Sequence, residues 1–413
     1  MRTRTTVAIL GAVTVLAACS PSTESPATET PPTTTSSSAG AGLIRGPEPS
    51  VATPIVASVI AAPIPVPATD GKTHLAYEVE VTNVLTQDVT LTSLTVLDRD
   101  VALLNVGADR LNYWTRILGT PTPTAKIGPA QTATVWLDVA LDEGVAVPNT
   151  LTHNVGVSLA QPIPPLFPAT MTVNVAPVTV QTRKPAVISP PLAGPKWLDG
   201  NSCCDMTAHR MALNPINGQL WAAERFAIDY LQLDAEGRVF TGDKAKVESY
   251  PYFGADILAV GDGPVVAALD GLPEQAPGVT PSGLKLDEYA GNHIVQDLGD
   301  GNYALYAHIK AGTVKVKPGD RLTAGQVIGA LGNTGNSDAP HLHFHLMSTP
   351  DPLRSDGLPF VFSSFALDSK VTAQNALDPL LDGEPAPLQP GFVARDEKDV
   401  SPLVLDVMTY ADR

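Results

Sequence analysis

Between residues 75 and 180 apolar and polar positions alternate. Leu75, Tyr77, Val79 and Val81 are interleaved with Ala76, Glu78 and Glu80, and the pattern recurs through Ala133, Val135, Leu137, Val139 and Leu141. Val155, Val157 and Leu159, then Met171, Val173 and Val175, continue it. A period of two broken by Pro, Gly and Asn turns predicts half-buried antiparallel strands. The first body, 46–183, is therefore expected to be a β-sandwich of immunoglobulin-like architecture, without the internal Cys pair of antibody domains. Residues 184–194 are rich in Pro and read as a linker with few contacts across it. A second body, 195–365, carries strand signals at Ile257–Val260 and Val265–Leu269, around a Gly261-Asp262-Gly263 turn. Further ones lie at His293–Leu298, Tyr303–Ile309 and His341–Leu346. Periodicity fades over 366–413, which reads as a tail that wraps the domain or is partly mobile.

Composition agrees with a mainly β protein. The 413 residues suggest two or three domains, and the 44% hydrophobic content is ample for their cores. The 39 prolines and 33 glycines disfavour long helical bundles and suit a turn-rich β fold. Lys plus Arg is 26 against 42 Asp plus Glu, a net charge of −16, and there is no local basic patch. Such a chain repels phosphate backbones, so no nucleic-acid partner is expected.

The N-terminus reads as an address. Arg2 and Arg4 precede an uncharged run from Val7 to Ala18. That run falls short of the roughly 20 apolar residues of a bilayer span and fits a signal-peptide core. Its end, Leu16-Ala17-Ala18-Cys19, resembles the bacterial lipobox. The resemblance implies a lipoprotein signal peptide over 1–18, cleavage before Cys19, and a lipid on Cys19 that anchors the chain to a membrane. Localisation would then be the cell envelope, on the outer face of the plasma membrane or within the periplasm. Residues 19–45 follow as a Ser/Thr/Pro-rich tether without enough apolar surface to fold. No transmembrane helix is expected elsewhere.

Candidate chemistry concentrates in the second body. In His341-Leu342-His343-Phe344-His345 a strand would place three imidazoles on one face, roughly 6.6 Å apart for neighbours, with Leu342 and Phe344 on the other. Neutral imidazoles on a rigid element suit metal binding or acid/base work. His308 closes the Tyr303–Ile309 strand, and His209 lies further upstream. His74 and His153 stand alone and read as ordinary strand residues.

Tyr306-Ala307-His308, Gly325-Gln326-Val327-Ile328-Gly329, Gly332-Asn333-Thr334-Gly335-Asn336-Ser337 and the His341–His345 run together resemble the LytM/lysostaphin-type zinc endopeptidases of bacterial cell walls. The likeness spans about Arg225 to Phe362. It implies a LytM-type antiparallel β-sheet core, a single zinc ion and peptidoglycan peptides as substrate. By position, His343 and Asp229 match zinc ligands, while His341 and His308 match the catalytic histidines. Asn333–Ser337 would form a turn near the cleft rim.

The family's first ligand histidine should lie four residues before Asp229, and that position holds Arg225. Arginine has only donors and cannot bind zinc. His209 is the preferred substitute, brought beside Asp229 by a hairpin turning at Asn217-Gly218. His345 is another, although three ligands on one strand close a tetrahedron poorly. Arg225 would then bind a substrate carboxylate or a second-shell acid, and His345 would take a similar supporting role if not a ligand. Cys203-Cys204 is open to three readings: a vicinal disulfide, free thiols, or a zinc thiolate. Two wider readings compete with a lipid-anchored zinc metalloendopeptidase. One is an inactive LytM-like module that binds wall or regulates another hydrolase; the other is a surface adhesion lipoprotein that binds through its sandwich.

Overall fold

The structure, a computed structural model, describes residues 50–372 and 377–412. The signal peptide, Cys19 and the tether of residues 19–45 lie outside the described residues. Among the described residues no helix is long and apolar enough to cross a membrane.

The first body is two antiparallel sheets face to face. One runs in the order Ile55–Val59, Thr73–Asn83, Thr132–Leu141, Thr115–Ile117. The other runs Thr170–Thr179, Thr150–Leu159, Val89–Asp98, Val101–Gly107. The alternating apolar residues close a common core: Leu75, Tyr77, Val79 and Val81 meet Leu91, Leu94, Val155 and Val157. The architecture is a sandwich, and no immunoglobulin assignment follows from the strand order. One feature defies a two-sided strand. Ala76 and Glu78, on the face opposite this core, are also buried, because the second body packs over them.

The second body is a long antiparallel sheet. Its central order is Gly263–Leu269, His293–Gly299, Asn302–Ala307, Leu342–Met347, Ile228–Gln232, Gly194–Gly200. Strands appear on both sides of the Gly261–Gly263 turn, but they do not pair with each other. Asp256–Leu258 pairs with Val327–Ala330 instead.

Residues 366–413 depart from the tail reading. Asp406–Tyr410 lies against Gly194–Gly200, and Phe365–Lys370 lies against Asp406–Tyr410. Val407, Met408 and Tyr410 are buried in the main core. The strands are short and separated by proline-bearing segments, which erased the periodic signal.

The linker reading also needs correction. Ala186–Ile188 pairs in parallel with Phe360–Phe362. The core of the second body takes in Ile64, Val66 and Ala76 of the first. Arg183 donates to the carbonyls of Asp300 and Gly301, each at 3.0 Å. Proline prevented helix here without preventing contact, since an extended segment docks as a strand.

Candidate active site

Strand register assembles the site. Asp229 stands directly opposite His343 on the neighbouring strand, and on the other side His343 stands opposite Ala307, one residue before His308. Leu342 and Phe344 point the other way into the core. The alternation therefore holds, and the histidine face is itself buried: His343 is 6% and His345 1% exposed. His308 has left the strand and takes a left-handed φ of 60°. That conformation is rare for a side-chain-bearing residue, and it recurs at functional sites.

His209 comes from the short helix Ala208–Met211, capped by the Thr207 hydroxyl. The expected hairpin exists: Asn214–Ile216 pairs with Gln219–Trp221, and both Asn217 and Gly218 have positive φ, as a type I′ turn requires. His209 lies before that hairpin, on the helix and not on its strand. Its Nε2 is 3.1 Å from Asp229 Oδ2, and its ring is 4.7 Å from that of His343.

Asp229 is the hub. Its Oδ1 contacts His343 Nδ1 at 2.9 Å and His341 Nε2 at 3.1 Å, while Asn201 Nδ2 donates to Oδ2 at 3.0 Å. The outer nitrogens of the histidines are set by backbone carbonyls. His209 Nδ1 donates to Ala227 at 2.9 Å, His308 Nδ1 to Thr334 at 2.7 Å, and His341 Nδ1 to Ala339 at 2.8 Å. With Nδ1 committed to a carbonyl, each directs Nε2 inward; His209 and His341 donate from it to the Asp229 carboxylate, while His308, when neutral, presents a lone pair there. His343 works in reverse. Its Nδ1 is the nitrogen that faces Asp229, and its Nε2 meets His345 Nδ1 at 2.9 Å.

Electrostatics separate the histidines. Burial alone would lower His209, but the Asp229 charge outweighs it and raises His209 to about 9. His341 is raised by the same balance. Burial raises Asp229, yet the adjoining His209 and His341 pull it well below the ordinary carboxylate range. Burial, reinforced by His341 and His343, holds His308 well below the imidazole range, and so neutral. His345 is depressed likewise, by burial and then His343.

The donor set fits a zinc ion. One atom each from His209, Asp229 and His343 lie within 4.8 Å of one another, with two nitrogens and one carboxylate oxygen of the kinds zinc takes. His308, His341 and His343 form a second such group. The site opens into a cleft of about 1010 Å³, at whose rim Asn336 and Ser337 sit. Asn333 and Thr334 of the same loop are fully buried beneath it.

Arg225 is elsewhere. It is 4% exposed, and its guanidinium grips Glu78 of the first body, with Nε at 3.0 and 2.9 Å from the two carboxylate oxygens and Nη2 on Oε2. It does not line the cleft, so the reading of Arg225 as a substrate contact is corrected. Cys203 and Cys204 are joined as a disulfide, which removes the free-thiol and zinc-thiolate readings. Glu78, Asn201 and the Thr334 carbonyl were missed from sequence. Glu78 sat on the polar side of an alternating strand and so looked solvated.

Comparisons with known proteins bear on the second body. Residues 250–355 match the model described as Peptidase family M23. Glycyl-glycine endopeptidase ALE-1 of Staphylococcus capitis is 36% identical over 126 residues, covering 30% of each chain. Lysostaphin of Staphylococcus simulans is 46% identical over 61 residues, covering 14% of this chain and 12% of its own. The chain thus spans under a third of these relatives' length. The catalytic domain of a prophage-encoded M23 protein from Enterococcus faecalis aligns with 41% of this chain and 93% of its own, at 18% identity and a TM-score of 0.25. The strands described above, and not that likeness, define the architecture. Over residues 250–355 the second body is thus similar to Peptidase family M23, the LytM/lysostaphin type.

Proposed function

We propose that this protein is a zinc metalloendopeptidase that hydrolyses peptide bonds of peptidoglycan, held to the cell envelope by a lipid on Cys19. The observation that carries the reading is the convergence of His209, Asp229 and His343, which supplies a third ligand where Arg225 withdraws one. Bound there, zinc would supply Lewis acidity and lower the pKa of water. His308 and His341 face the same cleft with Nε2 inward, their rings 4.7 Å apart. Neutral His308 is suited to accept a proton, and His341, raised by Asp229, to donate a hydrogen bond to the developing oxyanion. Glu224, Asp338 and Asp378 line the cleft, and no Lys or Arg does so among the described residues. The cleft therefore offers no guanidinium or ammonium to grip a terminal carboxylate, which favours cleavage within a peptide.

Metal analysis of the purified protein tests this directly. One zinc per chain is expected. His209→Ala and His343→Ala should lose it; His308→Ala and His341→Ala should keep it and lower hydrolysis by about a hundredfold or more. A wild-type protein without zinc and without hydrolysis would instead support the inactive wall-binding module.

A further inference from the structure

We infer that the first body is part of the metal site, with Glu78 as a positioning residue that holds the ligand-bearing helix Ala208–Met211. The inference rests on His209 being a zinc ligand, as proposed above. The helix has only four residues, too short to be stable alone. What fixes it comes largely from the sandwich. Trp136 Nε1 donates to the Arg210 carbonyl at 2.6 Å, and Arg210 Nη2 donates to the Leu137 carbonyl at 3.1 Å. Arg210 Nε lies 3.6 Å from Glu78 Oε1. Met206, just before the helix, packs in a small apolar cluster with Trp114 and Trp136, with Leu213 against it. Tyr113 of the first body donates to Asp205 at 3.0 Å.

Glu78 is the common element. It is wholly buried and lies between two guanidiniums. One belongs to Arg210, the residue after His209. The other belongs to Arg225, four residues before Asp229. A single carboxylate on the sandwich thus sets the approach of both segments that lead to the metal donors. Without it two buried cations face each other, and the residue next to His209 loses its nearest carboxylate. Asp229 and His343 would stay, since the central sheet holds them in register. The sandwich is then no mere spacer, because a ligand hangs from it.

The test is zinc affinity of the full chain, measured against a competing chelator, together with the visible spectrum of the Co²⁺-loaded protein. Glu78→Gln should weaken zinc by about ten- to a hundredfold, the range for partners that orient a ligand, and change the cobalt bands toward those of His209→Ala. Arg183→Ala, which cuts a contact between the bodies far from the helix, should leave both unchanged. Should Glu78→Gln fail to fold, Trp136→Phe removes only the indole donor to Arg210 and should weaken zinc several-fold. Wild-type zinc affinity in a folded Glu78→Gln, or in Trp136→Phe when Glu78→Gln does not fold, overturns the inference. So does an equal loss in Arg183→Ala, which would mark general loosening. If His209→Ala itself keeps zinc, the ligand assignment fails, a result distinct from those.

Discussion

Arg225→Met separates a structural arginine from a substrate-binding one. The substitution keeps most of the aliphatic stem and deletes the charge. In the native protein the guanidinium makes two hydrogen bonds of 2.9–3.0 Å and a further contact to Glu78, at a site where neither partner meets solvent to any extent. Removing one member of a buried pair costs about 3–5 kcal/mol, mostly through the charge left behind. Here Glu78 keeps Arg210 at 3.6 Å; a pair at about 4 Å retains about 4 kcal/mol of attraction at an effective dielectric constant of 20. The loss should therefore fall at the low end, about 3 kcal/mol. Equilibrium unfolding in urea, followed by tryptophan fluorescence, reads it well, because Trp114 and Trp136 sit at the seam between the bodies. Zinc stoichiometry and KM should stay at wild-type values. A KM raised about tenfold with unchanged stability would refute the reasoning, since a difference of about 1.4 kcal/mol would then belong to substrate contact.

Three further outcomes are expected. His74 bridges Asp138 at 3.0 Å and Asp70 at 3.1 Å; although burial opposes it, these carboxylates raise it from 6.5 to about 9. A raised folded pKa means stability that is fully present below about pH 6.5 and lost as pH climbs to about 9, about 3 kcal/mol in all; the urea-midpoint gap between wild type and His74→Asn should close over that window, and a constant gap counts against it. At Gly291, φ is +65° and a Cβ would lie 2.3 Å from the Thr334 carbonyl oxygen, the acceptor that orients His308. Gly291→Ala should hence lower kcat by about a hundredfold with zinc retained; wild-type kinetics would dismiss the role given to that carbonyl. Cys19→Ala should move the protein from the membrane to the soluble fraction, and continued pelleting after a carbonate wash would rule out the lipid anchor.

The strands were legible where a single rule decided them. Leu75–Val81 and Leu342–Leu346 alternate in sequence, and the faces carrying Leu75, Tyr77, Leu342 and Phe344 follow from it. His308, His341 and His343 were visible as residues because imidazole is scarce and its spacing informative, whereas Asp229 was visible only through the family resemblance. What stayed hidden depends on pairs distant in sequence. Glu78 and Arg225 are 147 residues apart, and nothing local says that the polar face of one strand is covered by another body. The C-terminal strands were missed for a related reason: Phe365–Lys370 and Asp406–Tyr410 become strands by docking on a sheet edge that already exists. Helix Ala208–Met211 likewise takes its shape from Thr207 and the sandwich beneath it, with no periodicity of its own.

The pairing of Gly194–Gly200 with Asp406–Tyr410 has a consequence for timing. Gly194 meets Tyr410 across more than two hundred residues, and contacts of that span form late. The strand at Gly194–Gly200 is also the one that flanks Asp229, through Gly200. During synthesis, the floor beneath the carboxylate stays unfinished until residues 406–410 have emerged. On the function proposed above, hydrolytic competence would therefore arise late, only once residues 406–410 have docked.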